Sequence, residues 1–134
     1  MNKLTGHIVL VESSEHMSMV DIDVDGDIFS SIVLETPDTA SYLKQGGSVC
    51  LLFKETEVSI AKNLSGLISI RNRFKAIIKK IEKHDILTII TLAYKAGDII
   101  SIISTKSAHR LDLKEADEVE WLVKTNEVSL CPTT

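Results

Sequence analysis

Lys54 to Ile60 reads KETEVSI, and seventy residues later Lys124 to Leu130 reads KTNEVSL. Sliding the chain by 70 residues extends the match in one register without a gap. Asn2 then falls on Asn72, Glu12 on Glu82, Ser31-Ile32 on Ser101-Ile102, Leu43 on Leu113 and Val49 on Val119. Between identities apolar residues meet apolar ones: Ile8 with Ile78, Val11 with Ile81, Val20 with Ile90, Val33 with Ile103. Self-similarity at one fixed offset is the mark of a repeated structural unit. The sequence therefore divides into a first module at 1–61, a linker at 62–68 and a second module at 69–134.

Each copy reads as β. GHIVLVE, SMVDIDV, IFSSIVLE and SVCLLF are short runs rich in Ile and Val, and the second copy repeats them as FKAIIKKIE, LTIITLAY, IISIIST and EVEWLV. DVDGD sets Asp-Gly between two such runs, a hairpin signal because both residues tolerate the positive φ of a type I′ turn. The helical candidates are short: TPDTASYLKQG, with Pro37 suited to a first turn, and KSAHRLDLKEAD, with Ser107 placed to cap. The expected fold is all-β: two tandem five-stranded OB-like small barrels, each with one short helical turn. A barrel of about 60 residues buries little core for its size, so the copies are expected to pack together and to oligomerise.

Composition excludes several functions. The chain has 134 residues, 44% hydrophobic, 4% aromatic, with a net charge of −4. Scarce aromatics and net acidity argue against a nucleic-acid surface. No apolar run approaches the roughly 20 residues that cross a bilayer, and the N-terminal stretch lacks the pattern of a signal peptide. Cys50 and Cys131 stand in no metal-ligand spacing and are expected to be buried or free thiols of a cytoplasmic protein. DIDVDGD, Asp21 to Asp27, matches the first half of a calcium loop, but Ile32 stands where the bidentate carboxylate belongs. A strand entering a turn explains it better. His7, His16, His84 and His109 share no ligand spacing, and Trp121 is expected in the core or at a subunit interface. No nucleophile stands with a base, so catalysis is not expected.

Charge is uneven. Residues 1–65 carry 4 basic and 10 acidic groups, and residues 66–134 carry 11 and 9. The basic residues gather at Arg71, Arg73, Lys75, Lys79, Lys80 and Lys83, beginning in SIRN, Ser69 to Asn72. A hydroxyl, a guanidinium, a carboxamide and a later ammonium are all donors, which converge on an anion or merely decorate a solvated strand.

These residues resemble the molybdate-binding Mop or TOBE family. SIRNRFKAII resembles its SARNxLxGxV opening, ISTKSAHRLDLKEADEV its ITxxSAxxLxLKxGDEV middle, and VKTNEVSL its IKASxVxL end. The first copy is similar more loosely, through NKLTGHIV, LKQGGSV and FKETEVSI, as in a tandem, di-Mop arrangement. The resemblance implies a homo-oligomer, a trimer of tandem modules, binding molybdate or tungstate at its seams with no organic cofactor. By position, Ser69, Arg71 and Asn72 form one half-site. Lys124 and Thr125 form the matching half in the second copy, and Lys54 and Thr56 in the first. Glu55, where the family has Ala, is expected to weaken the first-copy site by repelling a dianion. The expected role is storage or homeostasis in the cytoplasm. The alternative is the oxyanion-sensing domain of a transcription regulator or transporter ATPase.

Overall fold

The computed structural model describes residues 1–133. Ten strands form two five-stranded antiparallel sheets. In the first copy these are β1 (Asn2–Ser14), β2 (Met17–Val24), β3 (Asp27–Val33), β4 (Ser48–Phe53) and β5 (Ser59–Ala61). In the second they are β6 (Asn72–Lys83), β7 (Leu87–Tyr94), β8 (Gly97–Ser104), β9 (Glu118–Val123) and β10 (Ser129–Pro132). A helix, α1 (Thr105–Arg110), follows β8, and 3-10 turns occupy Glu55–Glu57 and Thr125–Glu127.

The sheets do not follow the halves of the sequence. One runs β10-β4-β1-β2-β3 and the other β5-β9-β6-β7-β8. Each copy thus gives its last strand to the other, with Ser129 opposite Leu52 and Ser59 opposite Leu122. The closing valines are exchanged too. Val58 and Val128 are buried. Ser31 Oγ donates to the Val128 carbonyl and Ser101 Oγ to the Val58 carbonyl, both at 2.6 Å. Each hydroxyl joins β3 or β8 to the borrowed segment and so closes a barrel where no ladder forms.

Curvature comes from the longest strand of each sheet. In β1 alternate residues Asn2, Leu4, Gly6 and Ile8 point inward, as the two-residue period requires. The register then slips at Val9, and β6 slips at the matching Lys79. A bulge bends and twists its strand. The first half of β1 therefore pairs with β4 and the second with β2. Gly6 sits at the tightest approach: an added Cβ would lie 2.4 Å from the Asp23 carbonyl oxygen. The β2–β3 hairpin has φ of 52° at Asp25 and 93° at Gly26, the two positive values of a type I′ turn.

A single core joins the copies. Trp121 is fully buried, stacked on Phe53 at 5.7 Å and meeting Tyr94 edge-on at 5.2 Å, with Phe29 and Phe74 beside it. Phe29 and Phe53 come from the first copy, and the other three rings from the second. Trp121 Nε1 has no hydrogen-bond partner among the described residues, a cost of roughly 1–3 kcal/mol set against that packing.

The helical candidates part ways. KSAHRLDLKEAD contains most of α1, capped by Ser104 Oγ, which accepts from Ser107 N at 3.1 Å. TPDTASYLKQG forms turns instead. Thr39 Oγ1 accepts from Thr36 N and donates to the Thr36 carbonyl, a local bonding pattern that competes with a helix.

Candidate functional site

β6 begins with Asn72 directly opposite Val123, the last residue of β9. The antiparallel register therefore releases Arg71 and Lys124 side by side from the same end of the ladder. Both are exposed. Lys124 is extended, and the chain then enters the Thr125–Glu127 turn. The first amides of a helical turn have no intrahelical acceptor, so those of Thr125 and Asn126 add donors here. Ser69 lies exposed in the bend before β6.

Arg71 is held by one edge of its guanidinium. Its Nε donates to Ser30 Oγ at 2.8 Å, and Ser30 Oγ donates in turn to Asp21 Oδ1 at 2.6 Å. Nη2 stays 3.8 Å from Asp21 Oδ2, and the side chain is 61% exposed. The guanidinium is thus anchored but retains outward-facing N–H groups.

Asn72 is different. It is fully buried; Oδ1 accepts from Ser30 N at 2.7 Å, and Nδ2 donates to the Ser30 carbonyl at 2.9 Å. Asn2 makes the same pair with Ile100, at 2.8 Å in both directions. Each asparagine clamps the first strand of its own copy to the third strand of the other. Sequence reasoning grouped Asn72 with the donors and passed over Ser30, Ser31 and Ser101. The signal was present in the identities Asn2/Asn72 and Ser31/Ser101, which mark inter-copy bonds.

Residues 68–130 match the family model of the TOBE domain. The fold matches that of the cytoplasmic molybdate-binding protein ModG, solved with molybdate bound, over 98% of this chain and 96% of that one. The TM-score is 0.92 and the identity 26%. The second copy is a TOBE domain. A molybdate-binding protein from Sporomusa ovata shares 36% identity over 44% of this chain and 88% of its own, with a TM-score of 0.43. No curated protein matches the sequence.

The first copy builds the corresponding corner from other groups. Asn2 lies opposite Phe53, so Met1 and Lys54 leave the ladder together. The Met1 α-amino group donates to Glu55 Oε2 at 2.6 Å, and this bond holds the Glu55 carboxyl below its ordinary range. Glu55 thus points into the corner, where its charge is already paired. Lys54 and Thr56 are exposed. Strand exchange also carries the second turn alongside: Met1, Lys54, Asn126 and Glu127 share a pocket of about 110 Å³. With the Met1 ammonium spent on Glu55, this corner lacks the second available cation that Arg71 supplies at the other.

The remaining basic residues of the TOBE strand β6 are largely spent on neighbours. Arg73 makes a two-pronged pair with Glu120 at 2.6 and 3.0 Å and also donates to the carbonyls of Leu64 and Gly66. Its hydrogen bond to Glu120 holds that carboxyl below its usual range. Lys79 pairs with Asp98 at 2.8 Å and Lys80 with Glu82 at 2.6 Å. Three of the four acids of DIDVDGD are similarly engaged: Asp21 by Ser30, Asp23 by Gly26 N and Asp27 by the Tyr94 hydroxyl.

Proposed function

We propose that the protein binds molybdate or tungstate, as the doubly charged tetrahedral oxyanion, at a seam where a further copy covers Arg71 and Lys124. The observation that carries this reading is the emergence of two cations and the Thr125 turn from one end of the β6–β9 ladder, with Arg71 hydrogen-bonded through Nε and only loosely paired with Asp21 at 3.8 Å. Charge-assisted N–H···O bonds are the strong ones, and several together offset the cost of stripping water from a dianion. Arg71, Lys124 and the amides of Thr125 and Asn126 supply the donors, with Ser69 and the Thr125 hydroxyl as neutral partners. Asn72 serves the site by fixing the strand from which Arg71 projects. The corner of Lys54 and Thr56 is the weaker one, because its second cation, the Met1 ammonium, is already neutralised by Glu55.

The likeness to ModG along nearly the full length of both chains supports molybdate as the ligand and a cytoplasmic setting; storage or homeostasis of the oxyanion is the role that goes with this reading. A further copy covering Arg71 and Lys124 completes the donor set in this reading, with a trimer of tandem modules as the expected form. Calorimetric titration with molybdate, tungstate, sulfate and phosphate tests the reading. Binding of the first two and not of sulfate is expected. Arg71→Ala with Lys124→Ala should cost roughly 1.5–3 kcal/mol per charged bond lost. Equal binding of sulfate, or unchanged molybdate affinity in the double variant, would refute it.

A further inference from the structure

Strand exchange does something the linear sequence conceals: it sets Cys131 of β10 directly opposite Cys50 of β4. Thr133 N donates to the Ser48 carbonyl at 3.2 Å, so Thr133 and Ser48 form a hydrogen-bonded antiparallel pair. Two residues along each strand, Cys131 and Cys50 form the next such pair. Directly opposed residues project from the same face, and the Cα atoms of such pairs lie about 5.5 Å apart, within the range that a disulfide spans. Both thiols are free; Cys131 is exposed, and Cys50 is 7% exposed. Cys50 lies between the core residues Val49 and Leu51, so strand alternation turns it to the outer face of the barrel, where Cys131 sits.

We infer that Cys50 and Cys131 form a reversible cross-strand disulfide that locks the exchanged strand β10 onto the first barrel. The oxidant is a low-molecular-weight disulfide. The exposed Cys131 thiolate attacks one of its sulfurs, forming a mixed disulfide and expelling one small thiolate. The Cys50 thiolate then attacks Cys131 Sγ, forming the internal bond and expelling the second. Two protein thiols lose two protons and two electrons, and the small disulfide is reduced to two thiols. The lock matters because β10 is a four-residue edge strand holding the borrowed end of the barrel. The other exchanged strand has no such device, since Ala61 stands opposite Glu120 there. In a reducing compartment a bond of this kind is transient and reports oxidation.

The test contains no oxyanion and is independent of the binding reading. The full chain is incubated with oxidised glutathione, then mapped by mass spectrometry without reduction, and its melting temperature is measured before and after dithiothreitol. A Cys50–Cys131 linked peptide, with Tm raised by roughly 5–15 °C and restored by reductant, supports the inference. Cys131→Ser, at an exposed position, should keep the fold and abolish the shift. Two titratable thiols after oxidation, a mixed disulfide that persists on Cys131, or cross-linking between chains alone would each overturn it.

Discussion

Replacing Asn72 by alanine should unfold the protein more readily than any other single change at the candidate site. Asn72 and Ser30 are fully buried, and the carboxamide partners both the Ser30 N–H and the Ser30 carbonyl. Truncation leaves two buried backbone groups unpaired at roughly 1–3 kcal/mol each, or about 2–5 kcal/mol together once water enters the vacated space. A domain holds only about 5–15 kcal/mol in total, so the change is large. Urea unfolding followed by the fluorescence of Trp121, the sole tryptophan, measures it directly. Asn72→Asp sharpens the test, because it keeps the shape and the acceptor but sets a carboxylate oxygen against the Ser30 carbonyl. It should be at least as damaging as alanine at neutral pH. A loss under about 0.5 kcal/mol for alanine, the range of ordinary surface changes, or a wild-type aspartate variant, would refute the clamp.

Three other outcomes follow from the same geometry. Ser101→Ala strands the Val58 carbonyl at the closure of the second barrel and should cost roughly 1–3 kcal/mol in urea unfolding, as should Ser31→Ala at the first. Gly6→Ala should destabilise by about 1–3 kcal/mol in the same assay, since the Asp23 carbonyl blocks the new methyl, although the matching position holds Ala76. Arg73 depresses the folded pKa of Glu120, so this pair contributes stability that is present above the unfolded value of about 4.3 and is lost as pH falls through the lower folded value. The Tm gap between wild type and Glu120→Gln should therefore close on acidification through that window, and a gap that widened would contradict the pairing.

Much of the fold was legible because strand alternation and the Asp25-Gly26 turn are local, and because one 70-residue offset aligned the whole chain. The exchange of β5 and β10 was not legible. Both copies carry nearly the same closing strand, so the pattern of either fits either sheet; which one it joins is set by how the chain runs from Val58 and Val128. The segment after β3 forms turns where the Thr39 hydroxyl bonds to the backbone of Thr36. At the site, the sequence marked Arg71 and Lys124 as cations but could not show that Arg73 and Lys79 meet carboxylates, since Glu120 and Asp98 lie on other strands. Asn72 looked like another donor for the same reason: its partner, Ser30, is 42 residues away. Glu55 stood out in sequence by its charge, and the contact with Met1 shows why that charge is tolerated.

Anomalous diffraction at the tungsten edge, from crystals grown with tungstate, tests the central claim most directly. The account predicts a peak within hydrogen-bonding reach of the Arg71 guanidinium, the Lys124 ammonium and the Thr125 amide, covered by a neighbouring copy. A peak only at the Lys54 corner, or none in crystals bathed in saturating tungstate, would contradict it.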